Sequence, residues 1–86
     1  MKFEYDLLKS KANSLKHDID FEQIQALWKD FDLLEMPART VGEPRFLLVG
    51  RIKNKHWSVI VTYRDNAIRI ISARRSRQEE VSLYES

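Results

Sequence analysis

From residue 45 onward the chain alternates apolar and polar positions with the period of two that a β-strand imposes. The runs RFLLVGRIK, HWSVIVTYR and AIRIISAR are separated by the two-residue links Asn54-Lys55 and Asp65-Asn66, and read as strands of consecutive antiparallel hairpins. With a tight turn at each link, Arg64 falls opposite Ala67, Thr62 opposite Arg69, Trp57 opposite Arg74 and Arg45 opposite Arg64. Phe46, Leu48, Ile52, Val59, Val61, Tyr63, Ile68 and Ile70 then share one face, the expected core face. Arg45, Arg64 and Arg69 crowd together on the other, with Thr62 between them and Leu47, Val49, Ile60 and Ile71 beyond.

The N-terminal half carries a different period. KFEY is a short alternating run that can form a first strand, and Asp6 is placed to cap a helix running to about Lys16. Asp20 stands three residues before Gln23 in a capping-box-like start, and Phe21, Ile24, Leu27 and Trp28 follow at helical spacing, so a second helix is expected over 21–30. DLLEM is a further strand candidate. ARTVGEP, with Gly42 and Pro44 after Pro37, reads as a loop. A last helix, capped by Ser76, is expected through Glu85 with Val81 and Tyr84 facing inward. The sum is an α+β fold of one domain spanning residues 1–86, without repeat or linker.

Composition narrows the chemistry. The 86 residues include no cysteine, which removes disulfides, thiolate catalysis and Cys-type zinc sites, and fits a reducing, cytoplasmic setting. No apolar stretch has the length of a membrane span or a secretory h-region. The two histidines lack HxH or HxxxH spacing, so no metal site is expected, and no glycine-rich phosphate loop supports a nucleotide cofactor. Net charge is only +2, but its distribution is uneven: ten of the fifteen Lys and Arg fall between Arg39 and Arg77, against two acids, Glu43 and Asp65. Like charges on adjacent strands repel, so the arginine face is either solvated and paired with Glu43, Glu35 or Asp65, or held for a polyanion. Arg74, beside Trp57 in the expected pairing, can stack on the ring or bind phosphate. His17, next to Lys16 where the first helix ends, suits the helix dipole as a plain C-terminal cation and is also the well-placed proton carrier near neutral pH. His56 abuts a turn and is expected to be exposed. Phe21, Trp28 and Trp57 read first as core.

Longer strings carry a resemblance. FEYD at the start, Asn13 ahead of Lys16-His17, then DFEQ, EPRFLLVGR, and YRDNAIRIISARRSRQEEVSLYE with Glu80 and Tyr84 four apart, together resemble the BrnT family over nearly the whole chain. The chain departs from the family's usual residues at Tyr5, where Trp is common, at Leu7 (Pro), at Asp18 (Gly) and at Ser76 (Ala). Asp18 bears on function, because it follows His17 in the turn that presents it.

The resemblance implies a RelE-like fold, an antiparallel sheet of three to five strands with two N-terminal helices and one C-terminal helix. It implies the toxin of a type II toxin–antitoxin pair, a metal-independent endoribonuclease that inhibits translation and growth. The implied partners are RNA and a BrnA-like ribbon-helix-helix antitoxin, with operator DNA reached only through the toxin–antitoxin complex and no membrane involved. RNA cleavage by its own 2′-hydroxyl needs a group to take that proton, one to protonate the 5′-oxygen, and cations for the phosphorane. On this reading His17, Lys16, Arg64 and Arg74 are the candidate catalytic residues, and Arg45, Arg69, Arg75 and Trp57 the candidate RNA contacts. The rival readings are a non-catalytic module that binds RNA or a partner through its basic sheet face, and a repressor component whose patch exists to be covered by the antitoxin.

Overall fold

The computed structural model describes residues 1–39 and 41–86. Thr40, within the ARTVGEP segment expected to be a loop, lies outside the described residues. Strand β1 (Lys2–Glu4) leads into helix α1 (Leu7–His17), and a 3₁₀ helix (Gln23–Lys29) precedes β2 (Leu34–Ala38). Strands β3 (Arg45–Ile52), β4 (Lys55–Arg64) and β5 (Ala67–Arg75) follow, then helix α2 (Gln78–Glu85). The five strands form one sheet in the order β1-β5-β4-β3-β2.

That sheet is mixed, which corrects the expected antiparallel one: β1 runs parallel to β5, with Phe3 opposite Ile68. A parallel pair needs a long crossover, here everything between the two strands, and no local pattern announces it. The expected second helix is a 3₁₀ turn rather than an α-helix, although its start is as read. Asp20 Oδ1 accepts from the Glu22 and Gln23 N–H groups, and Gln23 Oε1 accepts from the Asp20 N–H at 2.9 Å. Asp6 caps α1 through the Leu8 and Lys9 N–H groups. Ser76 does not cap α2. Its hydroxyl bonds that of Ser58 at 2.8 Å, and the helix begins two residues later.

The hairpins diverge from the expected pairing in two ways. The β3–β4 link is Lys53-Asn54, with Lys53 at φ 59°, so Phe46 faces Val61 and the register differs by two residues from that expected. A shift of two preserves the faces but separates Arg45 from Arg64. In the β4–β5 hairpin, Asp65 and Asn66 both take positive φ as a tight two-residue turn requires, and Arg64 lies opposite Ala67 as expected. A bulge between Ile60 and Val61 then shifts the ladder by one, so that Trp57 faces Arg75 and Ser58 faces Arg74. One extra residue exchanges the faces beyond it. Arg75, not Arg74, therefore shares a face with Trp57.

The core forms where α1 and the 3₁₀ helix cover one sheet face. Phe21, Ile24 and Leu27 pack there on Leu48, Val59, Val61, Ile68, Ile70 and Ala73. Gly50 allows the approach, because a Cβ there would lie 2.9 Å from Leu33 and 3.0 Å from Leu27. Tyr63 departs from the expected core face. It is 44% exposed, its ring against Phe46 and its hydroxyl donating to Glu35 at 2.7 Å. Helix α2 lies on the opposite sheet face, where Glu80 reaches Ser58 and Arg74. Val81 is half-buried, and the polar tips of Glu80 and Tyr84 fasten the helix.

Candidate active site

Helix α1 places its chemistry by one polar stripe. Asn13, buried on the sheet side, donates to the carbonyls of Ile19 (2.8 Å) and Ala73 (2.9 Å) and accepts from the Ala73 N–H (3.2 Å). It thus binds the helix, the turn after it and the bulged end of β5 into one unit. His17 lies four residues on, on the same helix face, next to the turn residue Asp18. It is half-buried, and its ring makes no hydrogen bond or ion pair among the described residues. Asp18 closes the helix in the left-handed region (φ 63°), its N–H bonded to Ser14 O. The turn after His17 is thereby formed without the glycine usual there.

Beside this turn runs a cleft of about 400 Å³ lined by Asp18, Ile19, Gln23, Ile52, Lys53, Asn54, Lys55 and Trp57, a size within the range of small-ligand pockets. Trp57, one of its lining residues, is buried. The Arg75 guanidinium lies 5.5 Å from the Trp57 ring centre, with Nε donating to the His56 carbonyl at 3.3 Å. The exposed Lys16, Lys53 and Lys55 add positive charge around the same end of the sheet. Lys53 and Lys55 were not among the candidates, because the link was placed one residue too late. A second cleft, of about 560 Å³, is lined by Lys29, Arg51 and Lys53 together with Asp30, Asp32 and Tyr84, a mixed set in which Asp30 accepts from the Tyr84 hydroxyl and the Arg51 N–H.

The other candidates lie elsewhere. Trp57 and Arg64 are seven positions apart on β4, about 23 Å at strand rise, so Arg64 lies at the other end of the strand from the cleft. At that far end Arg64 makes a two-pronged pair with Glu43 (2.8 and 3.2 Å), and Arg69 approaches Glu4 at 3.7 Å. The Arg64 hydrogen bonds hold Glu43 below the usual carboxylate range. Arg45 lies near this pair and contributes to the same lowering. This is the paired arrangement weighed for the arginine face. Thr62 is buried and donates to the Pro44 carbonyl at 2.7 Å.

Arg74 belongs to a structural network. Its two guanidinium nitrogens each meet a Glu80 oxygen at 2.8 Å, while Glu80 also accepts from Ser58 and from the Arg77 N–H. The Arg74 bonds above all, against the effect of burial, pull Glu80 down to about 2. At the other end of α2, burial and then the 2.6 Å bond to Asp30 push Tyr84 up to about 12. The Glu80–Tyr84 spacing is therefore the signature of how α2 is fastened. Neither group exchanges a proton near neutral pH. His56 is taken up in contacts to Glu85 (2.8 Å) and the edge of Tyr84. Among the described residues no group of three His, Cys, Asp or Glu side chains is arranged to hold a metal ion, and no helix is long and apolar enough to cross a membrane.

Comparison with curated proteins finds no match. A family model does match, over residues 5–80: the ribonuclease toxin BrnT of type II toxin–antitoxin systems. The match takes in α1, the cleft, the whole β3–β5 meander and the Arg74–Glu80 fastening, and the chain belongs to this family of ribonuclease toxins.

Proposed function

We propose that this toxin cleaves RNA internally and without a metal ion, using His17 and Lys16 at the end of α1 together with Arg75 at the end of β5, and that it thereby inhibits translation and growth. The observation that carries the reading is the grip of Asn13 on Ala73, which sets the end of α1 against the cationic end of β5. In the reaction the substrate's 2′-oxygen bonds to the adjacent phosphorus as the bond to the 5′-oxygen breaks. The 2′-hydroxyl loses a proton and the 5′-oxygen gains one. The products are a 2′,3′-cyclic phosphate and a 5′-hydroxyl. His17 serves the proton transfer, while Arg75, steadied on Trp57, and Lys16 stabilise the charge on the phosphorane. Arg45, Arg64 and Arg69 form a separate patch that contacts flanking RNA once it displaces Glu43 and Glu4. Neutralisation falls to a BrnA-like antitoxin, and operator DNA is reached only through that complex.

The test is cleavage of end-labelled RNA by purified toxin in excess chelator. Cyclic-phosphate products are expected, with the rate falling about 10²–10³-fold in Arg75→Ala, the range for removing a donor to a developing charge. His17→Ala is expected to lose as much or more. Activity abolished by chelator and restored by magnesium would overturn the mechanism, and binding without cleavage would make this a binding module.

A further inference from the structure

Helix α1 is folded inside out. Ser10, Asn13, Ser14 and His17, at i, i+3, i+4 and i+7, face the sheet, and this inward stripe is held by hydrogen bonds. Asn13 makes the three described above, and the Ser10 hydroxyl accepts from the Phe21 N–H at 2.9 Å. A surface helix ordinarily turns its apolar stripe to the core. Here the apolar positions point to solvent: Leu8 is 76% and Leu15 91% exposed, with the exposed Ala12 between them and Leu7 beside them. At 100° per residue, Leu8 and Leu15 stand opposite the buried stripe, two turns or about 10.5 Å apart. That is the spacing of a helix–helix seam. The fold makes no use of these leucines.

What covers them is indicated by their frame. Exposed Lys11 borders the stripe on one side and Lys9 and Lys16 on the other, and from Leu7 to His17 there is no acidic residue. A second copy of the chain would set lysine against lysine. An amphipathic helix with leucines in its seam and carboxylates on its flanks matches both features. We propose that the outer face of α1 is the docking surface for an acidic amphipathic helix of a partner protein, and that the partner is the antitoxin. The second half rests on the toxin reading above. Leu15 stands on the helix face opposite His17, so a helix seated on the stripe anchors the partner one helix width from the catalytic end.

The proposal is tested with Leu8→Glu/Leu15→Glu, both positions lying outside the catalytic end and the core. Wild type and variant are titrated by calorimetry with the antitoxin encoded in the adjacent reading frame, and assayed separately for RNA cleavage. The variant is expected to melt within a few degrees of wild type, to cleave RNA at an unchanged rate, and to bind the antitoxin at least about 100-fold more weakly, as loss of two central anchors implies. Lys11→Glu is expected to weaken binding further at low salt than at high salt. Unchanged antitoxin affinity would overturn the proposal, whether the leucines prove to bind phosphatidylglycerol vesicles or to join two copies of the toxin. If wild type fails to cleave RNA while the leucine variant still loses the antitoxin, the docking surface stands and the catalytic reading falls. Should the charged variant misfold, Leu8→Ser/Leu15→Ser makes the same measurement without added charge.

Discussion

At the scale of the residue, partners decide what each arginine does. Arg64 and Glu43 are both about half exposed, and such surface pairs contribute little, so Arg64→Ala should leave the unfolding midpoint almost unchanged. Placed about 23 Å from the cleft by strand rise, it should also leave the chemical step almost intact, changing cleavage by no more than about tenfold through weaker RNA contact. Arg75→Ala should likewise change stability by about 1 kcal/mol or less, as for an exposed cation over a ring, but should lose most of the rate. Thermal unfolding and single-turnover cleavage on both variants check this. A rate loss in Arg64→Ala equal to that in Arg75→Ala would return Arg64 to the reacting atoms. These roles were hidden in the sequence, where an unbroken pairing sets Arg74 rather than Arg75 beside Trp57. Only the bulge, which sends one toward Glu80 and the other over Trp57, makes them different.

At the scale of the element, what was legible was local. The Asp6 cap, the Asp20–Gln23 reciprocal cap and the Asp65-Asn66 turn were readable because each is fixed by side chains within a few residues. The core face survived a misplaced β3–β4 turn because the error was an even number of residues. The Ile60/Val61 bulge and the parallel β1 depend on packing between distant segments, and no period in the sequence reports them. The orientation of α1 was hidden for a related reason: its leucines suggest an inward stripe, yet Asn13 wins the interior through bonds to Ile19 and Ala73, six and sixty residues away. Asn13 should therefore be intolerant of change. Asn13→Ala leaves two buried carbonyls and one N–H without their partner, and a loss of about 2–4 kcal/mol is expected in denaturant unfolding. Asn13→Asp keeps the shape but turns a carboxylate toward two carbonyl oxygens, so it should be no better. A variant of near wild-type stability would show that helix and strand are held by something else.

At the scale of the whole molecule, the Arg74–Glu80 pair ties α2 to the face of the sheet opposite the core, and its protonation sets an acid limit to the fold. Glu80 titrates near its ordinary 4.5 when unfolded and at about 2 when folded, mainly because of Arg74. A depressed carboxyl stabilises the folded state above the unfolded value, and that stability is lost as pH falls from about 4.5 toward 2. The difference corresponds to about 3 kcal/mol. Glu80→Gln removes the charge at every pH and strands Arg74 against a partly buried neutral amide, so at pH 7 it should cost about 3–5 kcal/mol, the range for breaking a buried pair from one side. Asp30 and Glu43 are also held below their usual range and give both proteins a common acid slope, which makes the difference between the two curves the informative quantity. That difference should be constant above pH 5 and shrink steadily below 4.5. By pH 2 the protonated Glu80 of the wild type resembles the glutamine, and the two stabilities should nearly meet. Denaturant unfolding of both proteins at half-unit steps from pH 7 to 2 measures it. A gap that stays constant through the acid range would mean that the charge on Glu80 contributes nothing, and that α2 is held by shape alone.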